Sequence, residues 1–314
     1  MEKTFVIFNP AARGERSRRA RRFLEAKKGP SVTLAPTQRA GEAKALAARA
    51  VAEGYRIIVA AGGDGTINEI INGIYTGSAG YSRRFTDDGK SDAALAVLPL
   101  GTVNVFAKEL RVPARLEPAW EAIEAAHVRT IDLARAEANG STRYFIQLAG
   151  VGFDAYAVRS ASWALKKKVG PLSYVWAGIK ALSGSHPSVD VSVNGGVPLG
   201  SGVAVLVGNG RFYGGRFPLF PKARMDDGLL DVCLFETLRY WDVVRYGQGI
   251  LRGAHIGVGG VTYFQAGNLV CRTDGPTPFE LDGEDAGDAP VAFSVLPCAL
   301  RVIVPKSNTG EPDA

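Results

Sequence analysis

Residues Ile57 to Asn68 read IIVAAGGDGTIN. Ile57, Ile58 and Val59 form an apolar run without helical spacing, which suits a strand buried on both faces of a parallel sheet. Gly62, Gly63, Asp64, Gly65 and Thr66 follow, then apolar residues at helical spacing: Ile67, Ile70, Ile71 and Ile74. Strand, glycine turn and helix in succession present backbone N–H groups and a helix dipole to phosphate. The plainer alternative is a tight turn and nothing more. Asp64 sets a carboxylate beside that cradle, an arrangement that calls for a bridging cation, most often Mg²⁺.

The flanking chain alternates strands and helices. Thr4 to Phe8 reads as a first strand ended by Asn9 and Pro10, followed by a basic helix from about Glu15 to Lys28. A strand over Ser31 to Leu34 and a helix from Ala40 to Glu53 come next. Thr37 between them either caps that helix or touches a ligand. Gly77 to Asp92 reads as a polar loop. The strand Ala94 to Leu98 then runs into a second glycine turn, Pro99 to Asn104, before a helix over Val105 to Leu110. A helix over Pro118 to His127 and a strand near Thr130 to Leu133 close a doubly wound parallel sheet.

From about Arg135 the texture changes to short strands broken by glycine turns, which predicts a mainly antiparallel β-sandwich. Its strands are read at Arg143 to Leu148, Ser188 to Val193, Gly202 to Val207, Leu229 to Phe235, Asn268 to Thr273, Phe279 to Leu281, Ala292 to Val295 and Leu300 to Val304. Helices are read at Tyr156 to Ser183 and Tyr240 to Leu251. The expected organisation is a nucleotide-binding α/β domain over 1–132, a sandwich domain over 133–305 and a polar tail from 306.

At 314 residues, with 46% hydrophobic and 22% charged residues, the chain has the composition of a soluble globular protein. The net charge is +6, with arginines and lysines concentrated between Arg13 and Lys28. That basic face suits an anionic membrane, nucleotide phosphates or plain solvation; a nucleic-acid role rests on nothing else and is not expected. Three cysteines, Cys233, Cys271 and Cys298, show neither disulfide nor zinc spacing. No signal peptide or membrane-spanning run is read, which points to the cytoplasm.

Six motifs occur in order: IFNP from Ile7, GGDGTINE from Gly62, PLGTVNVFAKEL from Pro99, GNGRFYGG from Gly208, DDGLLDV from Asp226 and LDGE from Leu281. In this ordered set the chain resembles the bacterial lipid kinases of the diacylglycerol kinase catalytic-domain superfamily, which includes sphingosine and ceramide kinases. GGDGT alone is shared with NAD kinases. The resemblance implies transfer of the ATP γ-phosphoryl group to a lipid hydroxyl in a cleft between the two domains. It implies that Gly62, Gly63, Asp64, Gly65, Thr66, Ile67 and Asn68 line the triphosphate, with Asp64 acting on Mg²⁺ through water. Asn9, Thr37, Gly101, Thr102 and Asn104 match nucleotide-contacting motifs. Glu284 matches the general base, although Asp282-Gly283 is equally a hairpin-turn signal. A structural Mg²⁺ would be held by Asp227 and the carbonyls of Arg224 and Leu229, although Asp226-Asp227-Gly228 also reads as a plain turn.

One position departs from the family. Val105 stands where many members carry an aspartate of the catalytic Mg²⁺ network. Residues Tyr156 to Leu182 mix Trp163, Tyr174 and Trp176 with Lys166, Lys167 and Lys168, which suits transient contact with the inner membrane surface; a core helix pair is the alternative. Phe212, Tyr213, Phe217 and Phe220 either line the acceptor pocket or pack the sandwich. Two other functions stay open: a kinase of a soluble acceptor such as NAD, and a non-catalytic nucleotide- or lipid-binding protein. Oligomeric state is not legible.

Overall fold

Ile57–Gly62 is a strand (β3) and Asp64–Thr76 a helix (α3). The computed structural model describes residues 2–10, 15–76, 92–160, 187–193, 195–215, 217–238, 240–251 and 259–306. β3 lies between β1 (Thr4–Phe8) and β4 (Ala94–Pro99), with β2 (Val32–Pro36) beyond β1, and all these pairings are parallel. Val6, Phe8, Val59, Ala61, Ala96 and Leu98 share one face. There they pack on Ala20 and Leu24 of α1 (Glu15–Lys27) and on Trp120 and Ile123 of α5 (Leu116–Ala125). The alternate residues Phe5, Ile7, Ile58, Ala60, Leu95 and Val97 are equally buried. α2 (Glu42–Ala52) and α3 pack together and against β1 and β3. Burial on both faces is why these strands read as continuous apolar runs.

The order β2-β1-β3-β4 contains a switch point. From β1 the chain goes outward to β2, then returns to the other side of β1 for β3 and β4. At such a reversal the carboxyl ends of β1 and β3 open a crevice, the usual ligand position in open α/β sheets.

Residues Leu133–Leu296 form a second unit of two antiparallel sheets. One contains β8 (Val189–Val193), β9 (Val197–Gly202), β15 (Asn268–Thr273) and the start of β18 (Val291–Ile303). The hairpin of β5 (Val128–Ala138) and β6 (Ser141–Phe145) joins it. The other runs β14 (Val261–Ala266), β13 (Leu230–Phe235), β10 (Ala204–Gly208), β7 (Leu148–Gly152), β16 (Pro278–Leu281) and β17 (Glu284–Asp288). Val189, Val191 and Phe293 of the first sheet meet Val205, Val207, Val232 and Leu234 of the second in one core. The Phe145 and Phe293 rings meet edge to face at 5.9 Å. A short hairpin of β11 (Phe212–Tyr213) and β12 (Phe217–Pro218) accompanies them, with helices α6 (Phe153–Ser160) and α7 (Tyr240–Leu251).

Three expectations are corrected. The single strand read over Arg143 to Leu148 is two: β6 and β7 pair in different sheets. The two strands read at Ala292 to Val295 and Leu300 to Val304 are one, β18. At its middle Pro297 lacks a ladder donor. Next to it Cys298 adopts φ 50°, and its N–H turns to the Asp132 carboxylate at 2.7 Å. Beyond that bend Arg301 and Val302 pair in parallel with Ala94 and Leu95. Residues 297–305, expected in the sandwich, therefore belong with Met1–Asp132. β9, β14 and β17 lie outside the expected strands: β9 and β17 carry glycine and exposed residues, and β14 is half-buried along most of its length, so none shows a clear alternation of buried and exposed positions. Much of the expected helix over Tyr156 to Ser183, the loop Gly77 to Asp92 up to residue 91, and the tail from 307 lie outside the described residues.

Candidate functional site

The switch point gathers the sequence-expected residues of the first unit. Asn9, just past β1, donates from its N–H to the Ala61 carbonyl at 3.0 Å and from Nδ2 to Thr66 Oγ1 at 3.1 Å. The end of β1 is thus tied to the start of α3. The first i→i−4 bond of α3 is Ile67 N–H to the Gly63 carbonyl at 3.1 Å. The N–H groups of Asp64, Gly65 and Thr66 precede that ladder, and they carry the positive end of a 13-residue helix. The second glycine turn lies directly against the first. A Cβ on Gly101 would stand 2.6 Å from the Gly63 Cα, and one on Gly63 would stand 3.1 Å from the Gly101 Cα. These glycines are demanded by backbone packed on backbone, which brings both strand-to-helix turns to one place.

Asp64 is partly buried, and its Oδ1 accepts the Phe106 N–H at 3.2 Å, in the first turn of α4 (Val105–Glu109). A carboxylate has about four lone-pair sites, so this bond leaves capacity for a cation. Val105 opens α4, so the carboxylate serving that helix end comes from Asp64. Asn104 sits in the left-handed region at φ 53° and closes its own turn: Gly101 N–H donates to its Oδ1 at 2.9 Å, and its Nδ2 donates to the Gly101 carbonyl at 2.8 Å. Thr102, at the tip of that turn, is exposed.

Three site expectations are modified. Ile67 is fully buried and its N–H is taken by Gly63, so it serves the core and not a ligand. Asn68 is also buried, and its Oδ1 accepts Asn72 Nδ2 at 3.1 Å inside α3. Thr37 caps no helix. α2 begins at Glu42, and the Glu69 carboxylate of α3 takes the N–H groups of Gly41 and Ala43 at 2.9 and 3.1 Å. Thr37 instead extends the β2 pairing, its N–H donating to the Phe8 carbonyl at 2.8 Å.

In the second unit Glu284 opens β17 directly after a two-residue hairpin turn. Asp282 and Gly283 both have positive φ, 49° and 84°, the type I′ pattern. The hairpin reading and an exposed Glu284 are both present. The turn is more than a reversal, because the Asp282 carboxylate accepts three successive backbone N–H groups. Ile146 donates to Oδ2 at 3.0 Å; Gln147 and Leu148 donate to Oδ1 at 2.9 and 3.0 Å. On the far side Arg159 of α6 forks onto Asp285 at 3.0 and 2.9 Å and reaches Asp288 at 2.8 Å. The segment bearing Glu284 is thereby held at both ends.

Asp227 is exposed, and its Oδ1 accepts the Leu229 N–H at 3.0 Å, an Asx turn through Gly228 at φ 72°. Arg224 pairs with the neighbouring Asp226 at 3.3 Å. Among the described residues no group of three His, Cys, Asp or Glu side chains is placed to hold a metal. A cation here would depend on single carboxylates with carbonyl, phosphate or water oxygens, the ligand set Mg²⁺ accepts. Asp64 and Asp227 both fit that role.

Two acids do not stand out in the sequence: half-buried Asp154 in α6 and buried Glu280 in β16, which adjoin the Glu284 turn. Nothing in an alternating strand or a helix start distinguishes them from ordinary surface carboxylates.

The chain matches the diacylglycerol kinase catalytic domain over residues 3–136 and the YegS C-terminal NAD kinase beta sandwich-like domain over residues 148–304. A Pseudomonas aeruginosa protein named "Probable lipid kinase YegS-like" is 33% identical over 310 residues, covering 98% of this chain and 96% of that one. This chain belongs to the bacterial lipid kinase superfamily. A diacylglycerol kinase of Staphylococcus carnosus is a further lipid kinase relative, 30% identical over 96% of this chain and 94% of its own. A crystal structure from Bacillus anthracis str. Sterne, described as that of a diacylglycerol kinase, shares the fold at TM-score 0.68 and 22% identity over 98% of each chain. No helix among the described residues of this lipid kinase family member is long and apolar enough to cross a membrane.

Proposed function

We propose that the protein transfers the γ-phosphoryl group of ATP to a lipid hydroxyl, on diacylglycerol or a sphingoid-like alcohol, with Mg²⁺. The observation that carries this reading is the switch-point geometry in a lipid kinase relative: two abutting glycine turns, the α3 N–H groups and the Asp64 carboxylate. Phosphoryl transfer depends mostly on positioning and charge neutralisation. The N–H groups of Asp64, Gly65 and Thr66 hold phosphate oxygens, Asn9 and Thr37 border the nucleotide, and Asp64 carries the cation through water. A bound Mg²⁺ neutralises charge on the phosphoryl oxygens. Glu284 is the general base for the lipid hydroxyl, a role worth roughly 10²–10⁴-fold. Asp227, with the carbonyls of Arg224 and Leu229, holds a structural Mg²⁺. The lipid is met from the water side at the inner membrane surface, where Trp241, 76% exposed at the start of α7, suits the headgroup layer.

The test incubates the protein with γ-labelled ATP, Mg²⁺ and mixed micelles of diacylglycerol, monoacylglycerol, ceramide and sphingosine, beside NAD without lipid and a Glu284→Ala control. Label in a lipid, lost in the control, supports the reading and names the acceptor. Label in NAD alone replaces it with the soluble-acceptor kinase. ATP bound with no label anywhere leaves the non-catalytic reading.

A further inference from the structure

Asp154 and Glu280 come from different elements and face one another beside Gly150, Glu280 fully buried and Asp154 half-buried. Glu280 is 1% exposed, on a strand that pairs with β7 through Gly150. A Cβ on Gly150 would stand 2.8 Å from Asp154 Oδ2 and 3.1 Å from Glu280 Oε1, so glycine makes the room the two carboxyl groups occupy. Their outer oxygens have donors. Tyr213 O–H donates to Asp154 Oδ1 at 2.6 Å, and Gly283 N–H donates to Glu280 Oε2 at 2.6 Å. The inner oxygen of Glu280 does not: its Oε1 meets no N–H or hydroxyl donor. Two acceptors that face each other out of water need a proton between them.

We infer that Asp154 and Glu280 share one proton, and that Glu280, neutral and hydrogen-bonded to Asp154, positions the Asp282–Gly283 turn that presents Glu284. One proton satisfies every atom. Glu280 donates through Oε1 to Asp154 and accepts Gly283 N–H at Oε2, while Asp154 accepts from Glu280 and from Tyr213. The charge stays on Asp154, in the first turn of α6, where a helix end favours it. Burial, then the neighbouring Asp154 charge, drives the Glu280 carboxyl well above the usual range. The other charged group facing this pair is Asp282, whose carboxylate is turned to the Ile146–Leu148 N–H groups; Arg159, on the same helix as Asp154, is committed to Asp285 and Asp288. No cation faces the pair among the described residues, so neutralisation falls to the proton.

This positioning role rests on Glu284 being the base, but the shared proton and the held turn are measurable without catalysis. A carboxyl whose folded pKa is raised contributes stability that is complete below its unfolded pKa and is lost as pH rises through its folded pKa. Glu280→Gln keeps both hydrogen bonds and removes the titration. Melting temperatures of the full chain are compared between Glu280→Gln and wild type across about pH 4.5 to 9. Taking the difference cancels other buried acids, such as Asp231, which burial raises to about 6. The expected result is near-equality at the acid end and a growing advantage for Glu280→Gln as pH rises. A difference that does not change with pH overturns the shared proton. So does a wild-type melting temperature that rises with added Mg²⁺ or Ca²⁺ after chelation and loses that rise in Glu280→Gln, since the pair would then be an ionised cation site. Hydrogen exchange at Gly283 reads the held turn: slow in wild type and in Glu280→Gln, whereas exchange at the rate of a free turn in wild type refutes it. If the lipid assay is positive, Glu280→Ala lowers kcat roughly 10- to 100-fold with KM for ATP unchanged, and Glu280→Gln restores it. An unchanged kcat in Glu280→Ala refutes the positioning role, while inactivity of the wild type on every lipid refutes only the kinase reading.

Discussion

Removing the Asp282 carboxylate is expected to destabilise the sandwich unit strongly, although the residue sits at a hairpin tip, where substitution is normally tolerated. Three backbone N–H groups end on it, at 2.9 to 3.0 Å. Hydrogen bonds to a charged partner contribute about 1.5–3 kcal/mol each, and three bonds on one carboxylate do not add in full. Asp282→Ala also places alanine at φ 49°, which costs roughly 1–2 kcal/mol. Together this predicts a loss on the order of 4–5 kcal/mol. Asp282→Gly accepts the backbone angle and loses only the bonds. Asp282→Asn keeps the oxygen that serves Gln147 and Leu148 but turns an NH₂ toward the Ile146 N–H, for about 2 kcal/mol. Urea unfolding monitored by far-UV circular dichroism should rank the variants wild type, Asn, Gly, Ala in falling midpoint. A midpoint for Asp282→Ala within about 0.5 kcal/mol of wild type, or one above that of Asp282→Asn, would refute the carboxylate clamp.

Two further outcomes follow from the geometry. Gly101→Ala drives a methyl to 2.6 Å from the Gly63 Cα and 2.7 Å from Asn104 Oδ1, so it should weaken ATP binding at least about tenfold by calorimetry. Gly29→Ala, where nothing lies within 4 Å, should leave that binding unchanged. Native alkylation at about pH 8 should modify exposed Cys298 alone. Burial pushes the Cys271 thiol up to about 12, and burial followed by the Asp231 charge raises Cys233 further, so both should react only after unfolding.

How much of this was legible depended on whether the cause was local. The pattern from Ile57 to Ile74 announces its strand, turn and helix because both faces of the strand are buried and the helix has one apolar stripe. The DG signal at Asp282-Gly283 likewise announces a hairpin. What the Asp282 carboxylate binds was not legible, because its donors stand 134 to 136 residues earlier in the chain. Asp154 and Glu280 were hidden for the same reason: a shared proton is a property of two surfaces brought together. β18 was split in the reading because Pro297 breaks the apolar run, while the structure carries the strand through by handing the Cys298 N–H to Asp132. Ile67 was placed beside a ligand by its motif, and by helical geometry it points into the core.

Transfer of the γ-phosphoryl group to a lipid hydroxyl, as proposed, ties ATP consumption to the lipid one for one. Its most direct test measures ADP released and phosphorylated lipid formed in one reaction with ATP, Mg²⁺ and diacylglycerol micelles. Equal amounts of the two are expected, both dependent on the lipid and both lost in Asp64→Ala. ADP formed at the same rate without lipid, or without matching phosphorylated lipid, would contradict it.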